Sequence, residues 1–413
     1  MSNKVKSKIF AWAIILCLAQ AAALAFIGKN WLAKKGLVPA GLGTAPAASD
    51  VVSSLEYSDV KLDEKASVLF TEKNGTKIVY TIDPKLQMIA EKLFQEFNPV
   101  AGAFVAIDAR TGDVIVMASH ARNRKNGDSL PEGSTFLDPA LRNSANPMAS
   151  IAKIVTASAA MRHGLFSPTD TLTCAGSFRA GGDVITDPVG VSHGQISMAD
   201  ALAKSCNPSF AQIGLKVGRD RLLEEFRLFG FNRSIEFDLP ALESRAAFGD
   251  DEYSVARAGS GFHGAWMSPL HAAMIASTIS NRGVMMRPRV IRSIDAGGGE
   301  RSAKPAAFLN PMSEKNAVAI EKMMDNTVNQ PGFTAYRGFH HNGRYIGGDT
   351  HVVGKTGSLS GNNPAEMYTW LIGHTTEGSP DIAFAAMVVN DERWVIKAAS
   401  FSGQFFKHAG RGK

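Results

Sequence analysis

Polar side chains almost vanish from one stretch near the start of the chain and then return in regular rhythms. Ile9 to Ile27 (IFAWAIILCLAQAAALAFI) carries a single polar residue, Gln20. About 20 apolar residues cross a bilayer core, whereas the apolar region of a cleaved signal peptide is roughly 7–15 long. Residues 1–35 are therefore expected to be a membrane anchor with its flanks. Ala23–Ala25 (ALA) keeps cleavage open as an alternative. Lys4, Lys6 and Lys8 precede the run and Lys29, Lys34 and Lys35 follow it, so charge asymmetry does not orient it. Residues 36–63 read as a linker, opening with GLVPAGLGTAPAASD, which is small, rich in Gly and Pro and without period.

From residue 64 onward the pattern is that of one globular domain, 64–413. Two β-forming runs flank Asn74-Gly75, a hairpin signal. Asp83-Pro84 then offers an N-cap and a first helical position. Leu86, Ile89, Leu93, Phe94 and Phe97 recur at helical spacing behind it. GAFVAIDARTGDVIVMAS reads as two strands around Thr111-Gly112. Residues 148–290 are largely helical in pattern, with loops at CAGSFRAGGD and RAAFGDDEYSVARAGSGFHG. Three strand-like runs follow, THVVGKTGS, MYTWLIGHT and DIAFAAMVVND, and then a short helical tail. Strands at both ends of a helical middle predict an α+β fold. It would hold one antiparallel sheet of about five strands, flanked by helices, with a helical subdomain inserted. The pattern alone does not establish that the early and late strands share that sheet.

Composition changes this picture little. The 413 residues carry a net charge of +6, and no basic block is interleaved with aromatics, so nucleic acid is not an expected partner. Cysteines stand only at 17, 174 and 206. Cys174 and Cys206 could be a disulfide or two buried thiols. No C-x-x-C pair occurs and the ten His show no ligand spacing, so neither a metal nor a cofactor is expected.

The candidate chemistry begins at Ser150-Ile-Ala-Lys153, at the head of an apolar helical run. Residues i and i+3 are neighbours on a helix, with Cβ atoms roughly 5–6 Å apart. A serine hydroxyl needs a base, and a lysine is a base only when burial or a second cation keeps it neutral. Ser158 interrupts the apolar stripe of this helix. A second S-x-x-K, Ser58 to Lys61, lies in the linker with no helical stripe and is set aside. Ser205-Cys-Asn207 follows a short helical run. Lys355-Thr356-Gly357-Ser358 closes a β-run, and Lys355 would be the second cation. The phosphate-loop reading of that segment fails because Asp349 stands where a glycine is needed.

S-x-x-K, S-x-N and K-T-G in this order resemble the transpeptidase domain of penicillin-binding proteins. The likeness extends from about Ile78 to the C-terminus, through TIDPKLQMIAEKLF and GSGFHGAWMSPLHAAMIASTISNRGVMMRP among other segments. It implies a penicillin-binding/β-lactamase-like fold and a serine D-Ala-D-Ala transpeptidase that cross-links peptidoglycan stem peptides and is acylated by β-lactams. Ser150 would be the nucleophile, Lys153 its base, and Ser205 the proton relay. Asn207 would bind the substrate peptide and Lys355 would tune the field. Thr356, Gly357 and Ser358 would line the place of the substrate carboxylate, with the N–H groups of Ser150 and Ser358 as oxyanion hole. The implied setting is the bacterial cytoplasmic membrane, crossed once by residues 9–27, with the catalytic domain periplasmic and other cell-wall synthesis proteins as partners.

Departures are SIAK without the Thr-Phe common between Ser and Lys, and GSGFHG in place of a Gly-Gln-Gly turn. The stretch between anchor and domain is also too short for the extra domain of larger members. Water as acceptor (a D,D-carboxypeptidase), a serine β-lactamase, and an inactive membrane scaffold or sensor are the alternatives. The β-lactamase would require a deacylating Glu-x-x-Leu-Asn-like segment, and none follows Asn207.

Overall fold

The computed structural model describes residues 51–122 except 53, and residues 146–360, 366–376 and 381–410. The expected anchor, 9–27, and most of the linker lie outside them. Among the described residues no helix is long and apolar enough to cross a membrane.

In chain order the elements are β1 (Val60–Asp63), β2 (Val68–Lys73), β3 (Thr76–Tyr80), α1 (Pro84–Phe97), β4 (Ala101–Asp108) and β5 (Val114–Ala121). Then come α2 (Ala152–Arg162), β6 (Thr171–Cys174), β7 (Ser177–Ala180), β8 (Asp183–Thr186), β9 (Gly194–Ser197), α3 (Met198–Ala203), α4 (Asn207–Val217) and α5 (Arg219–Leu228). The last are α6 (Glu252–Ser260), α7 (Pro269–Ser280), β10 (Ile291–Asp295), α8 (Glu314–Asn329), β11 (Val352–Ser360), β12 (Met367–Thr375), β13 (Ile382–Asn390) and α9 (Ala398–Ala409).

The main sheet is five-stranded and antiparallel, in the order β11-β12-β13-β4-β5. Early and late strands thus meet at β13 and β4, where Ile382 opposes Asp108 and Val389 opposes Ala101. Every residue of β13 is buried, as expected for a central strand covered on both faces. Successive side chains point to opposite faces. Val105 and Ile107 face α7, while Phe104 and Ala106 face Phe94 of α1 and Phe401 and Phe405 of α9. Asp83 caps α1 as its sequence predicts, accepting from the N–H groups of Lys85 and Leu86 at 2.8 and 3.0 Å.

Three readings need correction. The stretch read as linker is already structured at its end, because β1 pairs with β2, which continues through β3 into β10 as a second sheet. CAGSFRAGGD is no loop; it supplies β7 and its hairpin with β8, built around Gly181 and Gly182, both at positive φ. The segment RAAFGDDEYSVARAGSGFHG contains α6, capped by Asp251. Its apolar positions are mostly Ala and Gly, too small to show a hydrophobic stripe.

Helices α2, α4 and α6 form the heart of the inserted half. Gly214 of α4 and Gly259 of α6 let their backbones meet, since a Cβ on Gly214 would stand 2.9 Å from Gly259 Cα. That contact brings the start of α4 beside the end of α6. The hydroxyl of Ser158 explains the interrupted stripe on α2. It donates to Glu225 Oε1 at 2.6 Å, and Glu225, itself buried, is paired with Arg162 at 2.6 Å.

Candidate active site

Ser150 lies in a 3₁₀ turn, Ala149–Ile151, that runs straight into α2. Ala149 holds a left-handed φ of 49°, a strained setting for a residue with a Cβ. Two glycines let neighbouring backbone crowd this turn. A Cβ on Gly261 would collide with the Ala149 carbonyl oxygen, and one on Gly357 would press on Ile151 and on the Met148 carbonyl at 3.2 and 3.3 Å. The glycine of K-T-G is therefore where β11, the sheet's outer strand, passes against the serine turn.

Lys153 points from the first turn of α2 into the gap between sheet and helices, with no exposed surface. Its Nζ stands 2.7 Å from Ser150 Oγ, 2.9 Å from Asn207 Oδ1 and 2.7 Å from the Ser260 carbonyl oxygen. The Asn207 amide is oriented by its other end, because Nδ2 donates to the Thr186 carbonyl at 2.9 Å. Oδ1 must then face the lysine. Burial lowers the Lys153 pKa to about 7, against a smaller opposing pull from the Asp187 carboxylate.

A neutral lysine amine has two hydrogens and one lone pair. Two of the three neighbours of Lys153, the Asn207 amide oxygen and the Ser260 carbonyl, can only accept. The third, the Ser150 hydroxyl, can donate. The neutral amine thus satisfies all three contacts with its lone pair aimed at the serine proton.

Ser205 follows α3 in a left-handed turn, φ 61°, and Asn207 is the first residue of α4 rather than a loop residue. Lys355 of β11 is equally buried; its Nζ donates to Ser205 Oγ at 3.0 Å and to the Thr356 carbonyl at 2.7 Å. Burial and the nearby positive charge of Lys153 hold its pKa well below the ordinary lysine value. The charge effect falls on Lys355, whereas the lowering of Lys153 comes from burial and not, as the sequence spacing suggests, from Lys355.

A cleft of about 430 Å³ opens over these groups. Ser150, Ser205, Asn207, Thr356 and Ser358 line it; Lys153 and Lys355 are buried behind that lining, bonded to Ser150, Asn207 and Ser205, and Gly357 is the buried residue between Thr356 and Ser358. Trp370 closes one wall and is buried, donating from Nε1 to the Pro147 carbonyl at 3.1 Å. Sequence reasoning missed Thr334, whose hydroxyl lies 2.6 Å from that of Thr356. It also missed the cations Lys204 and Lys397 in the lining. No motif marks them.

Cys174 and Cys206 are free thiols, both buried. Metal ligation, unsupported by the spacing of the ten His, acquires a candidate in three dimensions. One donor atom each of Cys174, Asp187, His193 and Cys206 lies within 4.8 Å of the others.

Residues 102–408 match the family model described as the penicillin binding protein transpeptidase domain. Among characterised proteins, the chain is similar to penicillin-binding protein PbpB of Mycobacterium tuberculosis, 27% identical over 342 residues, which are 78% of this chain and 49% of PbpB. It is 25% identical over 360 residues to the peptidoglycan D,D-transpeptidase PbpA of M. tuberculosis, covering 77% of this chain and 68% of PbpA. The chain spans about half the length of the PbpB relatives it matches. Its fold is similar to the D,D-transpeptidase domain of a peptidoglycan glycosyltransferase from Eggerthella lenta, with a TM-score of 0.68 at 23% identity over 80% of this chain and 82% of that one. An imipenem acyl-enzyme of M. tuberculosis penicillin-binding protein A superposes with a TM-score of 0.68 at 22% identity, over 80% of this chain and 79% of that one.

Proposed function

Since this chain belongs to the penicillin-binding protein transpeptidase family, we propose that it is a serine D,D-transpeptidase acting on peptidoglycan stem peptides that end in D-Ala-D-Ala. The observation that carries this reading is the environment of Lys153: fully buried, with its pKa lowered to about 7 and its Nζ 2.7 Å from Ser150 Oγ. Lys153 takes the Ser150 proton as Oγ attacks the carbonyl carbon of the penultimate D-Ala. The N–H groups of Ser150 and Ser358 hold the developing oxyanion. The C–N bond then breaks, and the proton passes through Ser205 to the departing D-Ala amine, leaving an ester on Ser150. An amine from a neighbouring stem attacks that ester, releases the cross-linked product and returns the proton. A stem peptide lying along the free edge of β11 would extend the sheet by one strand, with Asn207 contacting its backbone and Thr356, Gly357 and Ser358 at its carboxylate.

A β-lactam enters the same first step, but its leaving amine stays tethered. Among the described residues, the only carboxylate lining the cleft is Asp187. Both of its oxygens are engaged, one by the Asn207 N–H at 2.7 Å and the other by His193 and Cys174. With no unengaged carboxylate in the lining among the described residues, the cleft favours a long-lived adduct over the rapid hydrolysis of a β-lactamase. The apolar run 9–27 supports a single crossing of the bacterial cytoplasmic membrane with this domain on the periplasmic side, where stem peptides and other cell-wall synthesis proteins would be met.

The test is labelling of the full chain with a fluorescent penicillin. Wild type and Ser58→Ala are expected to carry label stoichiometrically, and Ser150→Ala none. Label on Ser150→Ala, or fast turnover of a chromogenic penicillin by wild type, would overturn the assignment. With a D-Ala-D-Ala stem and an added amine acceptor, the expected product is the amide, with D-Ala released.

A further inference from the structure

We propose that Cys174, Asp187, His193 and Cys206 form a structural zinc site that braces the turn carrying Ser205 and Asn207. The four come from separate places: Cys174 from the end of β6, Asp187 just past β8, His193 just before β9, and Cys206 from the N-cap of α4. The β6/β9 pairing sets Cys174 opposite Gly194, next to His193. Zinc bonds of about 2.3 Å to sulfur and about 2.0–2.2 Å to nitrogen and oxygen put tetrahedral ligands roughly 3.3–3.8 Å apart. Cys174 Sγ lies 3.5 Å from Asp187 Oδ2 and 3.5 Å from His193 Nδ1, and His193 Nδ1 lies 3.2 Å from Asp187 Oδ2. Three edges of the tetrahedron are therefore already formed, and Cys206 Sγ completes the group within 4.8 Å.

The donor chemistry fits zinc. Two sulfurs, an imidazole and a carboxylate are a borderline-soft set, and four protein ligands leave no open position, as in structural sites. Both thiols and the Asp187 carboxylate are buried. The supporting shell is present too, since the second Asp187 oxygen accepts the Asn207 N–H at 2.7 Å and Ser192 Oγ donates to the Cys174 carbonyl at 3.0 Å. Cys206 stands between Ser205 and Asn207, so a metal on its sulfur fixes both.

Zinc binding to a neutral imidazole and the ionised Asp187 displaces one proton from each thiol to solvent. The loaded site, a dication with two thiolates and a carboxylate, has a net charge of −1. The metal-free site, with two neutral thiols and the carboxylate, has the same. Lys153 then faces the same net charge with or without metal, and the metal acts chiefly through rigidity.

The experiment measures zinc on the full chain prepared without chelator. About one zinc per chain is expected, with about a tenfold or greater loss of zinc affinity in His193→Ala, the least buried ligand. Cobalt(II) in place of zinc should give the visible bands of a tetrahedral centre and near-ultraviolet thiolate charge transfer, altered in Cys174→Ser. Stripping the metal should slow acylation by a fluorescent penicillin without moving the pH limb of that reaction, and zinc should restore it. The proposal falls if wild type binds no stoichiometric zinc, or if His193→Ala keeps it at full affinity. It also falls if cobalt shows no thiolate transition, if stripping shifts the pH limb, or if peptide mapping finds a Cys174–Cys206 disulfide in the isolated protein. Metal content is read without catalysis, so its outcome and that of the transpeptidase test are separable.

Discussion

The pH dependence of acylation follows from the burial of one amine. Lys153 is brought from 10.5 to about 7 by loss of hydration, offset in part by Asp187. At pH 7.4 an exposed lysine would be neutral in about one molecule in a thousand, whereas Lys153 is neutral in roughly two thirds, a gain of nearly 10³ in competent base. In free energy this is roughly 5 kcal/mol of preference for the neutral form. Initial rates of reaction with a fluorescent penicillin, measured from pH 5 to 9 at subsaturating concentration, should rise tenfold per pH unit below about 7 and level off above it. The same shift governs stability. Between about pH 7 and 10.5 the unfolded chain binds a proton at this lysine and the native chain does not, so the group's contribution makes the fold more stable as pH rises through that window. A rate independent of pH across 5–9, or a limb near 10, would refute the reasoning, because Lys153 would then be either not the base or not desolvated.

Other outcomes follow from the packing. Gly261→Ala sets a methyl group against the Ala149 carbonyl at a backbone φ of 86°, and should slow penicillin acylation at least tenfold while lowering the melting temperature. Ser158→Ala strips Glu225 of a buried hydrogen bond and should cost about 1–2 kcal/mol in denaturant melts with little change in acylation rate. His271 is buried, donates from Nε2 to the Phe229 carbonyl and has its pKa lowered to about 4. From pH 6.5 down to 4 the unfolded chain gains a proton there that the native chain refuses, so acid destabilises the fold across that window. His271→Gln should flatten the corresponding decline in melting temperature.

The sequence foretold most of the sheet and the three motifs, because strand alternation, helix caps and the Asn74-Gly75 turn are local signals. What stayed hidden was non-local. The pairing of β13 with β4 depends on the whole intervening half, and the carbonyl of Ser260 has no side-chain signature at all. Alanine- and glycine-rich α6 buries backbone against α4 and so shows no apolar stripe. Cys174, Asp187, His193 and Cys206 fit no short motif because two β-pairings and a helix cap gather them. Ser158, a blemish in the pattern, proved to be half of a buried pair with Glu225.

The seam between β4 and β13 also orders events in time. The turn that bears Ser150 and the helix behind it are complete by residue 162, yet β11, with Lys355 and one side of the cleft, gains its place only through β12 and β13, much later in the sequence. A partly synthesised molecule thus holds Ser150 and Lys153 without the strand that carries Lys355. Closure of so distant a seam is a slow, late step, so the proposed nucleophile meets the second amine only once β11, β12 and β13 have paired.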